Sequence, residues 1–136
     1  MTRVLVCGGR KFGSIPQDTP PERMEEERAR AAREQRMLDV ALSPYQRDLG
    51  AHTIIHGAAP GADTLADRWA KRHGVPVQPF PANWKKHRKA AGPIRNAQML
   101  AEGRPDIVIA MPGKTGTADM VAKARAAGVQ VVEVKA

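Results

Sequence analysis

Short apolar runs alternate along this chain with stretches patterned for helices. Arg3 to Cys7 (R-V-L-V-C) barely alternates, so it predicts a strand buried on both faces, and it ends in Gly8-Gly9-Arg10. Ser14 to Pro21 is irregular and punctuated by proline. From Pro21 or Glu22 a long charged helix is expected to about Leu42, stopped near Ser43-Pro44. Its apolar residues, among them Met37, Leu38 and Leu42, crowd toward the C-terminal half. The first half is therefore free to project from the domain or to contact a partner subunit. Ala51 to His56 (A-H-T-I-I-H) predicts a second strand, followed by a helix from about Ala62 to His73 that Gly74 ends. Val75 to Phe80 predicts a third strand, placed near a sheet edge by its prolines. After a basic loop, Gly92-Pro93 opens a helix through Ile94, Ala97, Met99 and Leu100. Asp106 to Met111 (D-I-V-I-A-M) is the fourth strand, Thr117 to Ala127 a helix ended at Gly128, and Val129 to Val134 a fifth strand.

Strands alternating with helices imply right-handed βαβ units, hence an α/β three-layer sandwich with a mainly parallel sheet of about five strands. At 136 residues one domain is expected over 1–136, with a charged helical elaboration at about 14–42. In such a sheet the loops that follow the strands share one edge. The turns at Gly8, Gly57 and Pro112 should therefore meet in one crevice outside the carboxyl ends, where open α/β folds bind ligands.

Charge changes this picture only once it is located. The formal net charge is +8, and Arg68, Lys71, Arg72, Lys85, Lys86, Arg88, Lys89 and Arg95 alone amount to it, with no Asp or Glu among them. Such a segment favours anionic partners, nucleotides or polynucleotides, although a soluble basic face has the same composition. By contrast, Glu22 to Arg36 holds five acidic and five basic residues and reads as a solvated helix with i,i+4 pairs. The single cysteine, Cys7, is expected to be a reduced, buried, structural thiol, which suits the cytoplasm. The N-terminus lacks the long apolar segment of a signal peptide and no run approaches a membrane span, so neither secretion nor a membrane partner is expected.

The stretch from Met111 to Met120 (M-P-G-K-T-G-T-A-D-M) carries the most suggestive chemistry. Gly113 and Gly116 let a ligand approach the backbone, Thr115 or Thr117 can cap the following helix, and free N–H groups at a helix start favour an anion. Gly113-Lys114-Thr115 imitates the end of a Walker A motif, but Val108 stands where that motif needs its first glycine. Gly8 to Gly13 likewise lacks the G-x-G-x-x-G spacing of a dinucleotide fingerprint. Glycine and threonine at a strand-to-helix junction are also ordinary turn chemistry.

Elsewhere, Arg10 could clamp a phosphate or pair with a surface acid, and Asp63 could meet a ribose hydroxyl or cap its helix. Arg95 and Asn96 are the strongest phosphate and base contacts outside the glycine turns. Trp84 could stack on a base, whereas Trp69 belongs to the core; five aromatics in all poorly supply a platform for single strands. His56 reads as a satisfied strand-end histidine, with no metal-ligand spacing around it. No metal site, cofactor or nucleophilic triad is indicated.

These motifs resemble the SLOG superfamily of Rossmann-like domains, and within it the YspA-like branch. The resemblance spans nearly the whole chain. It rests on Gly8-Gly9-Arg10, His56-Gly57 with Pro60-Gly61-Ala62-Asp63, Trp84 with Lys89 to Asn96 and Met99, and Pro112-Gly113 with Gly116 to Met120. Relatives in that superfamily include the LOG phosphoribohydrolases, the DNA-processing DprA proteins and domains thought to sense or process NAD-derived nucleotides. The LOG enzymes use an Arg-Lys-x-x-Met segment and a P-G-G-x-G-T-x-E-E turn, which Arg95-Asn96-Ala97-Gln98-Met99 and Pro112 to Met120 resemble. The resemblance implies that Arg95 holds phosphate and that Asp119, in place of the first glutamate, assists at a ribosyl centre. Lys114 replaces the second glycine of that turn and Met120 its second acid.

Three functions follow as expectations. The first is binding of a nucleotide or nucleotide-sugar of the ADP-ribose, NAD or mononucleotide type, as a sensor. The second is an enzyme on the same pocket that cleaves an N-glycosidic bond, with Asp119 and Arg95 as catalytic residues. The third is DprA-like nucleic-acid binding through Arg68 to Arg95. A homo-oligomer is expected, with the charged first helix as a candidate contact.

Overall fold

The structure is a computed structural model that describes residues 2–47 and 52–135. Its strands are β1 (Thr2–Cys7), β2 (His52–His56), β3 (Val77–Pro79), β4 (Ile107–Ala110) and β5 (Gln130–Glu133). They form one sheet in the order β3-β2-β1-β4-β5, with every neighbouring pair parallel. The strands that sequence reading places at Arg3–Cys7, Val75–Phe80, 106–111 and 129–134 are all present, within a residue or two. Ala51, the first residue of the second expected strand, lies outside the described residues. No described helix is long and apolar enough to cross a membrane.

Because β1 is central, its alternating side chains feed two cores. Val4 and Val6 join Leu38, Leu42 and Trp69 from α1 (Met24–Leu42) and α2 (Ala62–His73) on one face. Leu5 and Cys7 join Met99, Met120 and Val121 on the other face, packed by α4 (Ala91–Gln98) with its π-helical extension (Met99–Gly103) and by α5 (Thr115–Ala126). Leu5, Leu38, Leu42, Met99 and Met120 are almost wholly buried, each contributing about 1.5–3 kcal/mol relative to exposure. The strand order thus turns around between β1 and β4, with the loops after these two parallel strands passing to opposite faces.

The sheet has two edges of different character. At one, β3 is three residues long and bonds inward through the Pro76 carbonyl and the Phe80 N–H. At the other, Gln130–Glu133 lies along β4 and its solvent side carries the exposed Val132.

Three local features differ from the sequence reading. Residues 84–90, read as a basic loop, form one α-helical turn, α3 (Trp84–His87), and one 3-10 turn; Asn83 Oδ1 accepts the Lys86 N–H at 3.1 Å to cap them. The following helix opens at Ala91, before Gly92-Pro93. Finally α5 opens at Thr115, with Lys114 as its N-cap and no side-chain cap bond, so neither Thr115 nor Thr117 caps it.

Candidate functional site

Loops from three strand ends and the flank of α1 enclose a cavity of about 770 Å³ at the carboxyl edge of the sheet. Ligand sites commonly fall between about 300 and 1,000 Å³. The first loop supplies Gly8, Gly9 and Arg10, and the last supplies Pro112, Gly113, Lys114, Thr115, Gly116 and Thr117. Trp84, Arg95, Asn96, Asp63 and Asp119 also line it.

Gly57 and Gly61, expected to touch ligand, stand behind the wall. A Cβ on Gly57 would fall 2.4 Å from an Arg95 guanidinium nitrogen, so the bare backbone there is what lets Arg95 lie flat. A Cβ on Gly61 would meet the Gly9 carbonyl oxygen at 2.1 Å, and Gly61 has φ +85. That contact seats the loop after β2 on the loop after β1, where the Gly9 carbonyl accepts the Ala62 N–H at 3.1 Å. Gly9 in turn donates to the Pro112 carbonyl at 2.9 Å, locking all three glycine turns together.

A polar chain crosses the cavity floor. Asp63 Oδ2 accepts from the N–H groups of Gly57 (3.1 Å) and Ala59 (3.2 Å), so this carboxyl caps the loop before its helix. Arg95 donates to the Gly57 carbonyl and, at 3.0 Å, to Asn96 Oδ1. The buried Asn96 amide then donates to Asp119 Oδ2 at 3.0 Å and to the Gly116 carbonyl at 3.2 Å, and Lys123 donates to the other Asp119 oxygen at 2.5 Å. Asp119 is therefore held rigidly, facing the start of α5.

The two carboxyls on this floor titrate in opposite directions. Burial pushes Asp63 up, and its backbone hydrogen bonds and nearby positive charge offset only part of that. Burial acts the same way on Asp119, but the Lys123 and Asn96 hydrogen bonds and the Lys123 charge outweigh it and hold that carboxyl below its usual range. Burial likewise pushes the Cys7 thiol up to about 12, so at neutral pH it is an inert thiol. A raised native pKa at Asp63 destabilises the fold at neutral pH and is relieved as pH falls toward the ordinary value of 3.8; the depressed Asp119 contributes stability that is lost below 3.8. Denaturation across pH is expected to show a gain on mild acidification that Asp63→Asn removes, while the loss at lower pH stays.

Cations ring the mouth. Arg10, Lys89 and Lys114 line the cavity and make no ion pair among the described residues. Arg10 lies 4.9 Å over the ring of Trp84, which is 46% exposed, so the two side chains span the opening. Burial pulls Arg95 down from its usual value, the Asp63 charge offsets part of this, and the like charge of Arg10 adds to it. An anion between Arg10 and Arg95 would relieve that repulsion.

His56 is a satisfied strand-end residue, as expected. Its Nδ1 accepts the Ala58 N–H at 2.9 Å, so the ring proton sits on Nε2 and is donated to Asp67 at 2.9 Å. Trp69 is buried in the core, and Ser14 Oγ donates to the Lys11 carbonyl within a turn. Among the described residues no three His, Cys, Asp or Glu side chains converge as metal ligands.

Among the lining residues that the sequence did not mark for the site are Arg30 and Glu34 of α1. Rather than projecting, this part of α1 is stitched to the first loop. Arg30 donates to the Lys11 and Ser14 carbonyls, Glu34 accepts the Gly13 N–H at 2.8 Å, and Gln35 donates to the Gly13 carbonyl at 2.9 Å. The only sequence signal was their i,i+4 spacing, which reads equally as a solvated pair.

Comparison with known proteins agrees with this architecture. The family described as YspA, cpYpsA-related SLOG matches residues 2–87, from β1 through α3. The Gene 61 protein of Mycobacterium phage D29 is 40% identical over 86 residues, which cover 58% of this chain and 68% of that protein. The X-ray structure of TM1055, a Northeast Structural Genomics Consortium target, superposes with a TM-score of 0.64 at 19% identity, covering 96% of this chain and 72% of that one. At that identity the likeness speaks for the fold.

Proposed function

The chain belongs to the YspA, cpYpsA-related SLOG family, which supports a nucleotide-related function in general, and from that premise we propose that its crevice binds a nucleotide or nucleotide-sugar of the ADP-ribose, NAD or mononucleotide type. The observation that carries this reading is the single cavity on which the glycine turns after β1 and β4, the open start of α5 and the cations Arg10, Lys89 and Lys114 converge. A phosphate at the first turn of α5 accepts backbone N–H groups and faces Arg10 and Lys114. The face of Trp84 not covered by Arg10 would take a base, and Asp119, which Asn96 holds in position, would accept ribose hydroxyls.

The basic segment gives the nucleic-acid reading less support. Arg68, Lys71 and Arg72 ride on α2, where Lys71 pairs with Asp67 and Arg72 with Asp39, whereas Lys85 to Lys89 belong to the turns beside the mouth. A thermal-shift panel at moderate salt separates the readings, using AMP, ADP-ribose, NAD, cyclic nucleotides, GMP, CMP and a short single-stranded DNA. A ligand at 100 times its dissociation constant adds about 2.7 kcal/mol, a rise of several degrees. Stabilisation by DNA alone would overturn the nucleotide reading.

A second reading is favoured by Asp119, an ionised carboxylate on the cavity wall held from two sides. Such a group stabilises positive charge at a ribosyl C1′ while water adds there, the C1′–N bond breaks and the base leaves with a proton from that water. Base release is expected to vanish in Asp119→Asn while nucleotide binding persists. If wild-type protein frees no base from any nucleotide in the panel, it binds without cleaving.

A further inference from the structure

The cavity does not end on the side of the sheet where Asp119, Asn96 and Arg95 stand. It continues past the glycine turns to the opposite face, where its wall is Phe12, Arg30 and Glu34. Arg30 has its donors committed, to Glu27, Glu34 and the carbonyls of Lys11 and Ser14. Glu34 is different. Its Oε1 takes the Gly13 N–H and the Arg30 contact, while Oε2 has no partner among the described residues, on a side chain that is 22% exposed and lines the cavity.

The cavity therefore offers an acceptor at one end, cations and free helix N–H groups between, and an aromatic face with the Asp119 carboxylate at the other. We propose that the ligand is two-ended, a nucleoside diphosphate carrying a second sugar, with the diphosphate over the glycine turns and Glu34 accepting hydrogen bonds from hydroxyls of the distal sugar. This rests on the nucleotide reading above and names the substrate class within it. The chemistry matches the means by which acidic side chains select ribose hydroxyls in other α/β crevices. Glu34 sits on the helix that sequence patterning marked as an elaboration, so the elaboration is what lengthens the site.

Titration calorimetry with AMP, ADP and ADP-ribose tests this on wild type and Glu34→Gln. Glutamine keeps an oxygen for the Gly13 N–H and removes the charge that holds the sugar. ADP-ribose is expected to bind wild type at least about tenfold more tightly than ADP, a gain of 1.4 kcal/mol or more. In Glu34→Gln that advantage is expected to disappear while ADP and AMP are unchanged. Equal affinity of wild type for ADP and ADP-ribose would overturn the proposal and leave the nucleotide reading standing. Equal weakening of all three ligands by Glu34→Gln would also overturn it, since Glu34 would then only position the first loop. Binding of none of the three would overturn the nucleotide reading itself.

Discussion

Gly61→Ala is expected to be the most damaging single-methyl substitution in the glycine turns, lowering the unfolding midpoint by roughly ten degrees or more. Gly61 has φ +85 and ψ −124, outside even the left-handed well that other residues occasionally visit. An added Cβ would also fall 2.1 Å from the Gly9 carbonyl oxygen and 2.5 Å from Arg10 backbone atoms. That obstacle is backbone and cannot swing away. Backbone strain costs about 1–3 kcal/mol, and the forced separation of the two loops also removes the Ala62 to Gly9 hydrogen bond, worth about 1 kcal/mol. Gly74→Ala is the internal control. Gly74 ends α2 at φ 70 and ψ 23 with nothing within 4 Å of its would-be Cβ, so it should lose only about 1–2 kcal/mol. Equal midpoints for the two variants in chemical denaturation would show that the seam between the loops is soft.

Arg95→Ala should weaken nucleotide binding by about ten- to a hundredfold, the worth of one charge-assisted hydrogen bond. The loss has two sources. One is the cation that faces Arg10 across the cavity; the other is the pair of bonds by which Arg95 fixes the Gly57 carbonyl and the Asn96 oxygen. Arg95→Lys separates them. An ammonium restores charge but cannot hold both acceptors in one plane, so lysine should recover only a small part of the affinity. Full recovery by lysine, measured by calorimetry, would mean that Arg95 acts as a point charge and that Asn96 and Asp119 are placed without it.

Much of this was legible because it is local. Apolar runs marked the strands, Gly74 marked the end of α2, and the glycine turns announced a crevice once the strands were taken as parallel. What escaped was carried by long-range polar contacts. Asn96 and Asp119 are 23 positions apart, and nothing in either segment shows that an amide on α4 holds a carboxylate on α5. Arg30 pairs with Glu27 and Glu34 as their spacing suggests, but the bonds that tie Arg30 and Glu34 to the first loop run to backbone atoms of residues 11–14, which have no side-chain signature. Residues 84–90 lack apolar periodicity, and their helical turns depend on the Asn83 cap.

The unequal edges of the sheet bear on how this chain meets other chains. In β3 the inward bonds of Pro76 and Phe80 leave Val77 and Pro79 as the outward-facing positions, and Pro79 has no N–H to give. That border offers a further strand one N–H, from Val77. At the opposite border the Val134 N–H turns inward to the Ala110 carbonyl, so by alternation the amides of Val131 and Glu133 point out. Any strand recruited from a neighbouring molecule, whether in orderly assembly or in aggregation, finds two outward amides at this border against one at the other, so the ladder of hydrogen bonds extends more readily in one direction.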